Sequence, residues 1–172
     1  HAQARGAHIL AELVGAAVNS DAYHMTAPDP SGDGAAKVMK MTIEDAGITP
    51  NDIDYINTHG TSTPLGDVAE LKAIQDLFQT HAYELNISST KSMTGHLIGA
   101  TGVVEAIACI LALQNGVVPP TMNHEDDDQD ENIDYKLNFT FNQPQQRELH
   151  YALTNTFGFG GHNASLVFKK WE

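Results

Sequence analysis

Two histidines stand in short segments that are rich in hydroxyl groups and glycine. His59 lies within 57–67, and His96 ends the segment 88–96. Each segment follows a short apolar run typical of a strand, so each histidine is expected just beyond a strand end. A neutral imidazole can donate a hydrogen bond to a developing negative charge. The matching positions of the two residues therefore indicate one site built from both.

The neighbours of His96 predict that its ring stays uncharged. A long helix is predicted over 95–113, with a cap at Thr94 that places His96 in its first turn. The positive end of the helix dipole disfavours the charged imidazole, and the Lys91 ammonium acts in the same direction. Two neutral imidazoles suit stabilisation of an enolate or oxyanion more than hydride transfer. The alternative is that one histidine caps a helix and the other is a hydrogen-bonded polar residue at a strand end.

Alternating strand and helix patterns must position these segments. The apolar spacing predicts helices over 35–46, 66–78 and 95–113, and strands over 7–20, 53–57 and 86–89. Such alternation is typical of parallel strands with crossover helices, whose strand-to-helix loops share one edge of the sheet. The last part differs, because 151–156 and 164–169 are predicted as an antiparallel strand pair joined by a glycine-rich loop. The fold class predicted is therefore α/β.

Signatures of several other chemistries are missing from the sequence. None of the nine histidines forms an H-x-H or H-E-x-x-H pair, so a metal site is not favoured. Neither G-x-S-x-G nor the P-loop motif occurs, and the glycines near 160 do not match G-x-G-x-x-G. We therefore expect no metal and no nucleotide cofactor. Six carboxylates within 125–131 repel one another and predict a solvated loop rather than a calcium site.

The composition narrows the class of protein further. The 172 residues include 9 Lys and Arg against 22 Asp and Glu, and the net charge of −13 disfavours nucleic acid and anionic membranes as partners. Residues 97–113 contain Glu105 and two glycines, so they are predicted as a buried helix rather than a membrane span. The single cysteine, Cys109, excludes an internal disulfide and indicates a reducing cytoplasm. The start at His1, without an initiator Met, suggests a fragment.

Four separated segments together resemble the β-ketoacyl-[acyl-carrier-protein] synthases of the elongating type. They are 20–26, 57–67, 91–105 and 157–163. Their order and spacing match the C-terminal half of such an enzyme over 1–172. The resemblance implies a thiolase-like half with a mixed, mostly parallel five-stranded sheet, crossover helices and a C-terminal antiparallel strand pair. It places the nucleophilic cysteine in an N-terminal half that is absent here, and Cys109 is expected to be a core residue instead.

The same resemblance implies roles for four residues. His59 and His96 are similar to the two histidines that bind a malonyl thioester, promote loss of carbon dioxide and stabilise the resulting enolate. Lys91 resembles the lysine that supports these histidines electrostatically. Glu105 is its expected partner, because an unpaired buried ammonium is costly.

Three threonines are implied to bind the substrate arm. Thr61 and Thr63 resemble the residues that hydrogen-bond phosphopantetheine, and Thr26 is expected to line the same pocket. The alternative is that these hydroxyl groups only cap turns of the backbone.

The glycine-rich loop between the last two strands is implied to move. Phe159 resembles a gating phenylalanine beside the nucleophile, and its N–H is expected to contribute to the oxyanion hole. Gly158 and Gly160 allow the loop to turn and move, because glycine adopts positive φ readily. The alternative for Phe159 is a core aromatic residue at the end of a hairpin.

The implied activity is decarboxylative condensation of an enzyme-bound acyl group with malonyl-[acyl-carrier-protein] in fatty-acid elongation. The expected partners are the acyl carrier protein, the missing N-terminal half and a second copy of the full-length protein. Two alternatives remain: a polyketide ketosynthase, and a non-catalytic partner subunit that determines chain length. The presence of His59, Lys91 and His96 disfavours the second. The 172 residues alone are expected not to condense, since they lack the group that holds the acyl chain.

Overall fold

The computed structural model describes residues 1–125, 127 and 129–172. Its strands are β1 (Ala11–Ser20), β2 (Tyr55–Asn57), β3 (Asn86–Ser88), β4 (Val117–Val118), β5 (Gln145–Gln146), β6 (Tyr151–Gly158) and β7 (His162–Lys170). Its α-helices are α1 (Asp33–Asp45), α2 (Pro64–Phe78), α3 (Lys91–Thr94) and α4 (Thr101–Asn115). Short 3₁₀ turns cover Gln3–Arg5, Pro50–Asp52, Gln79–Tyr83 and Ile98–Ala100. The predicted elements are therefore present, with one exception in the stretch before α4.

Five strands form one sheet in the order β1-β7-β6-β2-β3. The strands β6, β2 and β3 pair in parallel, whereas β7 is antiparallel to both β6 and β1. The predicted α/β class, the five-stranded mixed sheet and the C-terminal antiparallel pair are confirmed. The sheet contains two parallel and two antiparallel strand pairs, because β1 pairs with β7, so the expectation of a mostly parallel sheet is wrong. Strands β4 and β5 form a separate antiparallel pair.

The sheet carries helices on both faces, because successive strand residues point to opposite sides. Ile56 and Leu153 belong to the core cluster beneath α1 and α2. Tyr55 and Ala152, each one residue away, belong to the opposite cluster, which includes Cys109 of α4. Cys109 is completely buried, so its predicted place in the core is confirmed.

The long helix predicted over 95–113 is wrong at its start. Gly95 has φ 70° and ψ 176°, and Ile98 has φ 53°. Both conformations interrupt a right-handed helix, so α3 ends at Thr94 and α4 begins only at Thr101. His96 therefore lies in an irregular turn and not in the first turn of a helix, and the helix-dipole argument does not apply to it.

The outer face of α4 is apolar and exposed. Val103, Ile107 and Leu111 follow one another at intervals of four residues and expose 65%, 51% and 50% of their surface. The prediction of a buried helix is thus right for one face only. By length and composition, Ile98–Asn115 could also cross a membrane, but the core helix of a soluble protein passes the same test.

The acidic segment lies at the surface where the structure describes it. The described members are Glu125, Asp127, Gln129 and Glu131, which are exposed, and Asp130, which is partly exposed. For these residues the predicted solvated loop is confirmed. Asp126 and Asp128, which belong to the same prediction, lie outside the described residues.

Candidate active site

The site lies where β2 and β3 end, at one edge of the sheet. Asn57 pairs with Ser88 in parallel register, and the Thr58 N–H donates to the Ser88 carbonyl at 2.9 Å. The loops that follow the two strands therefore begin side by side. They bring the rings of His59 and His96 to a centroid distance of 5.6 Å, at an interplanar angle of 85°. The two imidazoles thus meet, although they are 37 positions apart in the sequence.

The orientation of His96 is set by its own turn and by the start of α4. The Ile98 N–H donates to Nδ1 at 3.1 Å, and the Thr101 hydroxyl lies 2.9 Å from the same nitrogen. Because Nδ1 accepts the Ile98 bond, the neutral ring carries its proton on Nε2. His96 can therefore present an Nε2–H donor to a ligand. Thr101 is a site residue that the sequence analysis missed.

His59 is held in its neutral form. Burial lowers its pKa to about 3, and the charges of Lys91 and His96 act in the same direction. Its Nδ1 is buried and has no hydrogen-bond partner among the described residues. The ring of Phe157, rather than that of Phe159, packs against it, at a centroid distance of 5.6 Å. At neutral pH His59 is consequently an uncharged imidazole with free hydrogen-bonding capacity.

A buried ion pair stands behind the histidines. The Lys91 Nζ donates to Glu105 Oε1, and the two residues are only 7% and 1% exposed. Burial raises the pKa of Glu105, while the hydrogen bond from Lys91 opposes this effect. The structure therefore supplies the partner that the sequence analysis expected for the lysine.

A second buried carboxylate, Glu70, forms hydrogen bonds to the loop that carries His59. Its Oε1 accepts the His59 N–H at 2.9 Å and the Asn155 side-chain amide at 3.1 Å, and its Oε2 accepts the Gly60 N–H at 3.0 Å. Burial raises the pKa of Glu70 to about 7, although these three donors favour its charged form. The sequence analysis missed Glu70. The available signal was a carboxylate between Ala69 and Leu71 on the apolar side of a predicted helix.

Glu70 predicts a measurable pH dependence of stability. Its folded-state pKa of about 7 lies above its ordinary value of 4.5, so the folded protein binds this proton more tightly than the unfolded chain. The resulting contribution of Glu70 to the free energy of unfolding, about 3 kcal/mol, is complete below pH 4.5 and is lost as the pH rises through 7. Glu70→Gln should remove this slope, which urea midpoints between pH 4.5 and 7.5 would measure.

Two comparisons make this experiment specific. His59 has the opposite sign, because its lowered pKa makes the folded protein gain stability between pH 3 and 6.5. The informative quantity is therefore the difference between the Glu70→Gln and wild-type profiles. The same change at the exposed Glu44 should leave the wild-type profile in place. Parallel profiles for wild type and Glu70→Gln would contradict the prediction.

A cavity of about 840 Å³ opens beside His96, and Thr58 and Gly60, the neighbours of His59 in sequence, also line it. Thr61, Thr63, Lys91 and His96 lie on its polar side. The hydroxyl oxygens of Thr61 and Thr63 are 3.2 Å apart. The apolar part of its wall is formed by Ile87, Ile133, Phe139 and Phe141, among others. The cavity can therefore hold an extended ligand with polar and apolar parts next to the His96 imidazole.

The glycine-rich loop contacts a second exposed loop. Phe159 exposes 78% of its surface, and Gly160 has φ 84°. The Gly160 N–H donates to the Met25 carbonyl at 2.7 Å. The neighbouring Thr26 is exposed, and its N–H donates to the Nδ1 of His24 at 3.1 Å. Thr26 therefore lies beside the glycine-rich loop, and it is not among the residues that line the cavity with Thr61 and Thr63.

The arrangement suits stabilisation of a negatively charged oxygen. The uncharged ring of His59, the Nε2–H of His96 and the buried ammonium of Lys91 provide fixed donors where charge develops. Within the described ranges, no three His, Cys, Asp or Glu side chains are grouped so as to hold a metal ion.

Comparison with known proteins agrees with this site. Residues 10–125 match the family described as "Beta-ketoacyl synthase, C-terminal domain". The chain is 50% identical over 171 residues to 3-oxoacyl-[acyl-carrier-protein] synthase 2 of Staphylococcus aureus (strain COL), with 99% of this chain and 40% of that protein covered. The chain thus spans less than half the length of the curated relatives it matches.

Solved structures show the same fold. A ketosynthase from a type II polyketide synthase, in complex with its acyl-carrier protein, superimposes with a TM-score of 0.94 at 35% identity, covering 100% of this chain and 41% of that one. A β-ketoacyl synthase from Burkholderia phymatum STM815 superimposes with a TM-score of 0.91 at 39% identity, covering 100% and 40%. Fold and site together define a ketosynthase-type α/β domain. The chain belongs to the β-ketoacyl synthase family, whose C-terminal domain it contains.

Proposed function

We propose that the full-length protein elongates fatty acids as a 3-oxoacyl-[acyl-carrier-protein] synthase. In this reaction the malonyl carbon–carboxylate bond breaks, carbon dioxide leaves, and its electron pair forms a thioester enolate. The enolate carbon then attacks an acyl-enzyme thioester and releases the enzyme thiolate. The observation that carries the proposal is the pair of imidazoles with ring centroids 5.6 Å apart, of which His59 is uncharged, close to the buried Lys91 ammonium.

The proposal assigns a role to each group at the cavity. The Nε2–H of His96 and the ring of His59 donate to the enolate oxygen, which is most negative after decarboxylation. Burial keeps His59 uncharged, and the charge of Lys91, which is paired with Glu105, acts in the same direction. Thr61 and Thr63 hydrogen-bond the polar arm that carries the malonyl group.

The glycine-rich loop between β6 and β7 acts at the acyl site. Phe159 gates the acyl site, and its N–H contributes to the oxyanion hole of the condensation step. Gly158 and Gly160 permit the movement that gating requires. Thr26 helps to bind the phosphopantetheine arm from the neighbouring loop.

The nucleophile of the proposed reaction lies outside residues 1–172, which form the C-terminal domain. Burial raises the pKa of Cys109, and the charge of Glu105 raises it further, so this thiol is unsuited to attack a thioester. We place the acylated cysteine in the remainder of a cytoplasmic, homodimeric protein whose partner is the acyl carrier protein. Neither nucleic acid nor a membrane is part of this proposal.

The proposal is tested with the full-length protein, an acyl-[acyl-carrier-protein] and malonyl-[acyl-carrier-protein]. We expect one carbon dioxide and one 3-oxoacyl product for each malonyl group consumed, measured by label release and by mass. Acylation of the protein without any condensation product would overturn the proposal. Failure of both acylation and condensation would also overturn the proposal and would favour a non-catalytic partner subunit, which has no group to hold the acyl chain.

A polyketide ketosynthase is the second candidate function. The superposition on a type II polyketide ketosynthase supports it, whereas the 50% identity to a fatty-acid synthase favours the first proposal. The two functions are distinguished by offering the 3-oxoacyl product to the protein again as a substrate, without reduction of its 3-oxo group. Repeated elongation of the unreduced chain would favour the polyketide function.

A polypeptide limited to residues 1–172 should associate and bind a dye specific for apolar surfaces. The reason is the exposed stripe of Val103, Ile107 and Leu111 on α4, which we assign to the contact with the rest of the protein. Dye fluorescence and light scattering would measure both effects. Val103→Ser combined with Ile107→Ser should reduce them, whereas Leu65→Ser, at an exposed residue of α2 outside this stripe, should not. A monomeric wild-type polypeptide that binds no dye would contradict this prediction.

A further inference from the structure

Ser89 joins the loop that carries His59 to the turn that carries Lys91 and His96. Its hydroxyl donates to the Gly60 carbonyl at 2.9 Å, and its N–H donates to the Thr121 hydroxyl at 2.8 Å. The residue is only 7% exposed, so water competes little for these bonds. A single side chain therefore connects the two histidine-bearing loops inside the protein.

This contact extends the pairing of β2 and β3 beyond the strands themselves. The bond from the Thr58 N–H to the Ser88 carbonyl closes the strand ends. The next bond joins Ser89, one residue after Ser88, to Gly60, two residues after Thr58. From there the two loops lead to His59 and to His96, whose relative position depends on how these loops are held.

The contact also leaves no room for a larger residue on the opposite loop. Gly60 has φ 38°, and a Cβ added there would lie 2.7 Å from the Ser89 Cβ and 2.9 Å from its hydroxyl oxygen. Glycine at this position is what allows the two loops to approach this closely.

We propose that Ser89 is a positioning residue that sets the separation of the two imidazoles through its hydrogen bond to Gly60. The inference rests on the proposed function, in which both rings must reach one enolate oxygen. Loss of the bond frees the Gly60 carbonyl, while Glu70 still accepts the N–H groups of His59 and Gly60. Displacements of about 1 Å at such a site reduce rates strongly. Because both rings act in decarboxylation, this is the step that Ser89 affects.

The experiment compares two steps in the full-length protein: carbon dioxide release from malonyl-[acyl-carrier-protein], and transfer of an acyl group to the enzyme. Ser89→Ala should lower the kcat of carbon dioxide release about tenfold and change acyl transfer less than twofold. Ser89→Thr, which keeps the hydroxyl, should restore most of the rate. Ser165→Ala is the matched control, because Ser165 is equally buried and its hydroxyl has no partner within the described part of the chain.

The outcomes separate this inference from the proposed function. An equal fall of both steps in Ser89→Ala, or no fall in either, would overturn the positioning role. If Ser89→Ala does not fold, Ser89→Cys keeps the volume, weakens the donor and carries the same expectation. His59→Ala in the same assay tests the proposed function itself. If carbon dioxide release does not depend on His59, the proposed function fails, whatever Ser89 does.

Discussion

Replacement of His59 or His96 by alanine in the full-length protein should lower carbon dioxide release from malonyl-[acyl-carrier-protein] by about 10²–10³-fold, the usual effect of removing one oxyanion donor. Each ring supplies a donor that water cannot replace with the same orientation. The His96 ring is held by Ile98 and Thr101, and the His59 loop is held by Glu70. The rate of label release from malonyl-[acyl-carrier-protein] labelled in the free carboxyl group measures the effect.

The pH profile of the same reaction provides a second test. The pKa of His59 is about 3, so its ring stays uncharged between pH 5 and 8. The rate should therefore show no inflection from His59 in that range. An inflection near pH 6.5 that disappears in His59→Ala would contradict the neutral, buried state of this ring.

A suitable control histidine lies at the opposite edge of the sheet. His150 precedes β6, and its Nδ1 is 3.7 Å from a carboxylate oxygen of Asp54, which precedes β2. His150→Ala removes an imidazole of similar size without touching the site. It should leave the rate within twofold of wild type. Equal losses in His150→Ala and His96→Ala would point to general destabilisation instead of a role in the reaction.

Breaking the Lys91–Glu105 pair from one side should destabilise the folded protein by about 3–5 kcal/mol. Glu105→Ala leaves an ammonium that is 7% exposed without its partner. The cost is that of keeping an uncompensated charge away from water. Chemical unfolding of the full-length protein would measure it, with the midpoint and the slope compared with those of wild type.

A double variant distinguishes the cost of an unpaired charge from the net contribution of the ion pair to stability. Lys91→Met combined with Glu105→Leu removes both charges and fills similar volume, so most of the lost stability should return. Glu44→Ala breaks the exposed pair of Lys40 and Glu44, separated by 3.8 Å, and should change stability little. A double variant as unstable as Glu105→Ala would show that packing, not charge, accounts for the loss. The double variant should still be less active than wild type, because it lacks the Lys91 ammonium whose charge acts on His59.

Local patterns in the sequence predicted most of the secondary structure. Helix α2 begins at Pro64 rather than at 66, and the strands β6 and β7 extend the predicted pair by a few residues. These elements are recognisable because periodicity and terminal residues are properties of short segments. The break before α4 was missed, because a helix starting at Gly95 with a cap at Thr94 fits the apolar spacing, and the left-handed conformation of Ile98 has no local signal.

The sequence by itself determined the family, the alternation of strands and helices, and the two histidines at corresponding strand ends. Only the tertiary structure decided how these residues act on one another. Glu70 contacts the His59 loop from 11 positions away and Asn155 from 85 positions away. The low pKa of His59 arises first from burial and then from the charge of Lys91, and both require the packed fold. Burial and hydrogen bonding depend on residues that are distant along the chain, and such contacts leave no pattern in a short segment.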